Sequence, residues 1–249
     1  MAQSYQVILR YDGRAYHGWQ RLKDHKSVQG SVELAIAQAF GETTAVQGAG
    51  RTDRGAHAEG QSAGFRLETE ISEEALISAL NEALPGDVYV VGARKVSLEF
   101  HVREDAVGKM YEYRIFNAEP LPKELDGRVW HTHGDLDVAS MGQAMDLLKG
   151  SHDFGSFATK TRFKKKSSVR DLFLSELETE GPVIYMRFGA ESFLNHMVRN
   201  IVRTVVKVGE GRYSLEQFRT ILAAADRSSS PGTAPASGLF LMNVYYPEE

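Results

Sequence analysis

The chain has 249 residues, of which 42% are hydrophobic and 25% are charged, and this composition excludes a collagenous, coiled-coil or disordered chain. It contains no cysteine, which excludes disulfides, thiolate metal sites and cysteine nucleophiles. The formal net charge of -4 gives no support by itself to a polyanionic ligand.

The first 105 residues predict a mixed series of strands and helices. The first strand ends in the turn signal Asp12-Gly13, and Ser72 is placed to cap a helix that Pro85-Gly86 stops. In chain order, the predicted elements are strand 5–12, helix 28–40, strand 43–49, strand 61–67, helix 72–83 and strand 88–96.

Residues 106–249 follow a similar plan, and we expect two domains, 1–105 and 106–249. Strands and helices mix without regular βαβ alternation, which predicts an α+β fold with a largely antiparallel sheet. The elements predicted here are strand 109–117, helix 137–149, strands 169–177 and 183–188, helix 192–208, helix 214–225 and strand 239–246.

The most unusual stretch is a glycine-rich loop at 48–61, in which Asp53 lies between Arg51 and Arg54. Neighbouring positive charge favours an ionised carboxylate, the form that attacks or abstracts a proton. A surface turn whose aspartate caps the backbone is the alternative that composition favours. Asp53 and His57 would share a metal as i and i+4 ligands only on a helix, which the glycines disfavour.

Strand 109–117 places Tyr111 and Tyr113 on one face. An aromatic ring there can stack on a nucleobase, and its hydroxyl can move a proton. The alternative is a position in the core, which is the more common place for either tyrosine taken alone.

Helix 192–208 has a broad apolar face and a polar stripe. The stripe consists of His196, Arg199 and Arg203, at i, i+3 and i+7. An arginine that points into a partly buried place usually has a carboxylate or another anion as its partner. We expect His196 and Arg203 to face solvent.

The densest positive charge lies at residues 160–170, which contain no acidic residue. Such a run can neutralise several phosphates. The alternative is a solvated loop without a ligand, which is the more common case for a run of charge taken alone. The basic residues of this run are Lys160, Arg162, Lys164, Lys165, Lys166 and Arg170.

Together, these stretches resemble the TruA family of tRNA pseudouridine synthases. Residues 50–58, G-R-T-D-R-G-A-H-A, are similar to the family's G-R-T-D-x-G-V-H-A. Tyr111 falls in the pattern K-x-Y-x-Y, and Arg199 falls in the pattern H-M-V-R-N. The motifs occur in the family's order and spacing, so the resemblance covers nearly the whole chain.

Flanking matches extend the resemblance, among them Tyr11-Asp12-Gly13 and Gly18-Trp19-Gln20. Four positions depart from the family pattern. Ala56 replaces the usual valine, and Ser237 stands where histidine is common. Arg203 stands where a small glycine is common, and Glu210 stands where a basic residue is common.

The resemblance implies a pseudouridine synthase fold, in which two related α/β halves surround a continuous, mainly antiparallel sheet and the active cleft lies between them. It implies an isomerase that converts uridine to pseudouridine at positions 38, 39 and 40 in the anticodon stem and loop of tRNAs. It makes Asp53 the catalytic carboxylate, Tyr111 the residue that stacks on the target base, and Arg199 the partner of Asp53. Arg51, Arg54 and the basic run would bind RNA.

The same resemblance implies a homodimer that shares one tRNA between subunits. It also implies that no cofactor or metal takes part, because the isomerisation changes no oxidation state. The sequence shows neither an apolar run of membrane-helix length nor a signal-peptide layout, and we expect a cytoplasmic protein.

Two other functions compete with the isomerase. A non-enzymatic RNA-binding or RNA-chaperone module would use the basic run and the aromatic strand, and it would bind RNA without forming product. A metal hydrolase would use Asp53, His57 and another histidine, and a chelator would abolish its activity.

Overall fold

The computed structural model describes residues 2–159 and 167–247. Their contacts divide the chain into two compact units, which we name unit 1, Met1–Val107 with Phe240–Glu249, and unit 2, Gly108–Leu239. Unit 1 therefore includes the end of the chain, which the division into 1–105 and 106–249 assigned to the second domain. Among the described residues, no helix has both the length and the apolar character needed to cross a membrane.

The described residues form ten strands and five α-helices. The strands are β1 (Gln3–Tyr11), β2 (Gln47–Gly48), β3 (His57–Leu67), β4 (Val88–Val96), β5 (Gly108–Phe116), β6 (Trp130–His131), β7 (Gly150–Asp153), β8 (Val169–Glu180), β9 (Val183–Ala190) and β10 (Leu239–Tyr245). The helices are α1 (Val28–Phe40), α2 (Glu73–Ala83), α3 (Val138–Asp146), α4 (Met197–Gly209) and α5 (Leu215–Ala224).

In unit 1, the strands are ordered β4-β1-β3-β10, and β2 pairs with β3. β1 runs antiparallel to β3 and β4, β2 is antiparallel to β3, and β10 is parallel to β3. Alternate residues of β1, Tyr5, Val7 and Leu9, are fully buried, as a strand with one core-facing side requires. The apolar stripe of α1, which includes Val32 and Ile36, is buried as well.

Local capping explains where the helices of unit 1 begin and end. The Ser27 side chain accepts a hydrogen bond from the backbone of Gly30, and Gly41 ends α1 in the left-handed conformation. Ser72 caps α2 in the same way, so the predicted helices 28–40 and 72–83 are confirmed. The predicted strand 43–49 is largely wrong, because only Gln47 and Gly48 pair with β3.

In unit 2, the strands are ordered β5-β9-β8-β7, each antiparallel to its neighbour, and β6 runs parallel beside β5. Large side chains that are fully or nearly fully buried fill its core: Met141, Met145, Phe154, Phe157, Ile201 and Phe218. The α+β class and the mainly antiparallel pairing are confirmed in both units.

Helix α4 begins five residues later than the predicted start at 192. His196 adopts the left-handed conformation, with a φ of 60°, and the backbone N–H of Asn200 donates to the His196 carbonyl. The apolar periodicity of the sequence does not reveal this reversal of the backbone, because periodicity reports which face is buried and not where the helix is interrupted.

Candidate active site

Asp53 lies in unit 1, in the irregular segment between β2 and β3. Its side chain is half-buried, whereas its neighbours Arg51 and Arg54 are exposed. The Ala56 N–H donates to the Asp53 carbonyl at 3.1 Å, and Gly55 has a φ of 81°, which closes a tight turn. Asp53 and His57 therefore share no helix face.

The chain around residues 11–19 holds this turn through hydrogen bonds. The Trp19 N–H donates to the Thr52 carbonyl at 3.1 Å, and the Gly55 N–H donates to the Tyr16 carbonyl at 3.3 Å. The hydroxyls of Tyr11 and Thr52 form a buried hydrogen bond of 2.8 Å. Burial raises the pKa of Tyr11 well above its ordinary value, so its hydroxyl stays neutral.

Two glycines permit the close approach of these segments. A Cβ atom at Gly13 would lie 1.8 Å from the Ala56 carbonyl oxygen. Gly18, with a φ of 92°, would place its Cβ 2.5 Å from the Thr52 carbonyl oxygen. Gly13 and Gly18 belong to the flanking matches in the sequence, but the sequence pattern alone does not predict this supporting role.

His57 is an anchor of the turn and not a ligand beside Asp53. It is fully buried, and its ring stacks on Phe240 with the ring centroids 4.5 Å apart. Its Nδ1 accepts a hydrogen bond of 3.1 Å from the Gly13 N–H, which uses that lone pair. The metal-hydrolase alternative, which needed His57 as a ligand together with Asp53, is disfavoured by this environment.

Asp12 completes the anchor. Burial acts to raise the pKa of its carboxyl, but hydrogen bonds from the side chain and the backbone of Arg14 outweigh burial and hold it below the ordinary value. The Asp12 Oδ1 also lies 3.4 Å from the His57 Nδ1. An ionised carboxylate is therefore built into the base of the turn.

In unit 2, the two tyrosines of β5 have different surroundings. Tyr113 is fully buried, and its hydroxyl donates to the Pro235 carbonyl at 2.7 Å. Burial raises the pKa of this hydroxyl, and Tyr113 is a core residue. Tyr111 retains 8% exposure, and its ring lies edge-on to Phe193 at 5.0 Å. The two environments make Tyr111 the better candidate for a site residue.

Arg199 lies in the first turn of α4 and is half-buried. Its Nε donates to the Ala234 carbonyl at 2.8 Å, and the Ala234 N–H donates to the Arg199 carbonyl at 3.1 Å. These two bonds fix the stem of the side chain against the segment before β10.

The expectation that His196 and Arg203 face solvent is wrong. Both are half-buried: the His196 Nδ1 lies 3.0 Å from the Thr159 hydroxyl, and the Arg203 guanidinium lies 5.2 Å from the centre of the Trp130 ring. A guanidinium gains from stacking on an aromatic face, which explains how a large residue is accommodated at this position.

Of the basic run, Lys160, Arg162, Lys164, Lys165 and Lys166 lie outside the described residues. Arg170 lies on β8, where its guanidinium donates to the carbonyls of Ser167 and Val169 at 2.8 and 2.6 Å. Burial lowers the pKa of Arg170. Because the ordinary pKa of arginine is very high, the guanidinium remains charged.

Comparison with known proteins identifies the class. A family model described as tRNA pseudouridine synthase matches residues 7–104 and 144–247. The chain, with its Asp53 turn in the first matched segment, therefore belongs to the tRNA pseudouridine synthase family.

The similar relatives carry one name, tRNA pseudouridine synthase A. The protein of Acetivibrio thermocellus is 38% identical, and the match covers 96% of this chain and 98% of the relative. The protein of Shewanella piezotolerans is 39% identical, with 96% of this chain and 92% of the relative covered. That of Geobacter sp. (strain M21) is 39% identical over 97% of this chain and 98% of the relative.

Proposed function

We propose that this isomerase forms pseudouridine at positions 38, 39 and 40 in the anticodon stem and loop of tRNAs, with Asp53 as the catalytic carboxylate. Membership of the tRNA pseudouridine synthase family supports the reaction and the substrate class. The observation that carries the role of Asp53 is its place in a turn that is clamped on both sides while its carboxylate stays half-buried.

The reaction balances without an added oxidant or reductant. The C1′–N1 bond of uridine breaks, a C1′–C5 bond forms, a proton leaves C5 and a proton is gained at N1. Substrate and product have the same atoms and the same oxidation state, so we propose that no cofactor is consumed.

Asp53 acts in its ionised form, by attack on C1′ or C6 or by removal of the C2′ proton. Each of these steps needs a carboxylate whose direction is fixed. The hydrogen bonds of Thr52, Gly55 and Ala56 restrict the backbone on either side of Asp53, which supports that role. Arg51 and Arg54, both exposed, are proposed to contact the RNA.

Tyr111 and Arg199 are the other proposed catalytic residues. The ring of Tyr111 stacks on the target base, and its hydroxyl assists removal of the C5 proton. Arg199 supplies a positioned cation that favours an ionised carboxylate in the reaction. A base in a stem must leave its stack at a cost of a few kcal/mol, which phosphate contacts from the basic run 160–170 help to offset.

We further propose that the protein is a cytoplasmic homodimer that binds tRNA.

The test is Asp53→Asn, which keeps the shape of the side chain and removes its charge. We expect tritium release from C5-tritiated uridine in tRNA to be abolished while the affinity for tRNA is retained. Asp135→Asn, at an exposed aspartate of unit 2, is the control and keeps full activity. Full activity in Asp53→Asn would exclude the proposed role.

Mapping of pseudouridine in a bulk tRNA pool tests the positions separately. Product at 38, 39 and 40 supports the assignment, and product confined to other uridines overturns the positions without overturning the isomerase. Binding of tRNA with no product would leave the RNA-binding module as the better description.

A further inference from the structure

A side-chain cluster in unit 2 brings together three groups that are ligands for metal ions in proteins. Glu119, His131 and His133 each offer one ligand atom, and these atoms lie within 4.8 Å of one another. The Glu119 Oε1 lies 2.6 Å from the His133 Nδ1 and 3.4 Å from the His131 Nε2. None of these residues belongs to the proposed isomerisation machinery.

The strand pairing of unit 2 explains why the three groups meet. β6 runs parallel to β5 with His131 opposite Phe116, so the chain leaves both strands at the same end of the strand pair. Glu119 follows the end of β5 by three residues, and His133 follows His131 by two. The carboxylate and both imidazoles are therefore brought to one place by the register of a single strand pair.

The backbone around the cluster is already fixed by other contacts. The Asn117 side chain donates to the Thr132 carbonyl, the Thr132 hydroxyl and the Gly134 carbonyl, at 3.3, 3.2 and 2.9 Å. The ring of His131 packs on Phe116 with the centroids 5.9 Å apart. The backbone and the His131 ring are therefore held in place before a metal arrives, which reduces the conformational entropy lost on binding it.

The spacing of the groups fits a small divalent cation. Two ligands of a tetrahedral zinc ion, each bonded at about 2.0–2.2 Å, lie about 3.4 Å apart, which is the separation of the His131 and Glu119 atoms. The His133–Glu119 distance is that of a hydrogen bond and must lengthen. Both side chains can move, because 71% of His133 and 62% of Glu119 is exposed to solvent.

A metal ion at the His131 Nε2 has to displace one hydrogen bond. The His131 Nε2 lies 2.9 Å from the Ala118 carbonyl, which can only accept a hydrogen bond from a ring N–H. Metal binding needs the lone pair of that nitrogen, so the ring hydrogen moves to Nδ1 and the bond to Ala118 is lost when the ion binds.

We propose that Glu119, His131 and His133 bind a divalent cation of the zinc class, such as Zn²⁺, Co²⁺ or Ni²⁺, with water completing its coordination. Two imidazoles and one carboxylate suit these ions, whereas Mg²⁺ prefers oxygen ligands. The cation ties the segment after β5 to β6, so its effect is on the stability of unit 2. An ion that binds the folded state alone stabilises it by RT ln(1 + [ion]/Kd), so the unfolding temperature rises with the concentration of the ion.

The test uses the full chain without an affinity tag, titrated with Co²⁺ by visible absorption and with Zn²⁺ by calorimetry. We expect one saturable site per chain, a higher unfolding temperature with Zn²⁺, and no competition from Mg²⁺. Glu119→Gln and His133→Asn each remove one ligand and weaken Zn²⁺ binding by at least about tenfold.

The matched control is His25→Asn, because His17 and His25 form a close histidine pair in unit 1, with ring centroids 4.2 Å apart. It leaves Zn²⁺ affinity unchanged. Without metal, the two ligand variants must unfold at the same temperature as the metal-free wild-type protein. That result would show that the loss of Zn²⁺ binding is not caused by a loss of folding. The absence of a saturable site, unchanged affinity in both ligand variants, or loss of binding in His25→Asn overturns the proposal.

Discussion

Unit 1 and unit 2 hold their proposed catalytic residues by different means. Asp53 lies in an irregular turn, and the residues that fix it are those around Gly13 and Gly18, more than thirty positions earlier in the chain. Tyr111 lies in the regular ladder between β5 and β9, and Arg199 lies in the first turn of α4, where its side chain is also bonded to Ala234. A site residue in an irregular turn therefore depends on close packing of distant backbone, whereas one in a regular element depends mainly on which face of the element is buried.

The largest expected effect distinguishes the two tyrosines of β5. Tyr111→Phe removes the hydroxyl proposed to move the C5 proton, and we expect turnover to fall by about 10²-fold or more, with tRNA affinity retained. Tyr113→Phe removes the bond to the Pro235 carbonyl and costs about 0.5–1.5 kcal/mol of unfolding free energy, with little effect on turnover.

Single-turnover assays and urea unfolding of both variants measure these effects. If Tyr113→Phe lost turnover while Tyr111→Phe kept it, the roles assigned to the two tyrosines would be reversed.

The next prediction tests the close approach of Gly18 to the Thr52 carbonyl in unit 1. Gly18→Ala places a methyl group against the Thr52 carbonyl, and we expect it to lose about 1–3 kcal/mol more unfolding free energy than its control, together with activity. The control is Gly41→Ala, which has a similar positive φ but no atom within 4 Å of the added Cβ. Both carry the cost of a left-handed alanine, so urea unfolding isolates the contact. Equal losses in the two variants would show that the close approach does not hold the Asp53 turn.

The smallest effect concerns pH. Because the folded pKa of Asp12 is lowered, its carboxylate contributes stability above the ordinary value of about 3.9, and that contribution disappears as pH falls through the folded pKa. The difference in unfolding free energy between wild type and Asp12→Asn should therefore shrink as the pH is lowered from about 5 toward 2.5. A difference that stays constant over that range would mean that the pKa of Asp12 is not lowered in the folded chain.

Much of the secondary structure follows from local patterns. Helix α1 is predicted because its apolar residues recur at helical spacing, and α2 because the Ser72 cap and the Pro85-Gly86 stop lie close to it in sequence. Strand β4 is predicted because its β-branched residues occur together. The start of α4 is not predicted, because the left-handed conformation of His196 depends on contacts with residues distant in sequence, such as Thr159.

Residue types at short, countable spacings are enough to predict the α+β class, the Asp53 motif and the family resemblance. They do not show which neighbours of those motifs serve as supports, and the folded packing does: Gly13 lies against Ala56, His57 is buried, and Tyr113 is a core residue. The packing also brings Glu119 within reach of His131 and His133. Close packing and hydrogen bonding join residues by distance in space, which a one-dimensional pattern does not record.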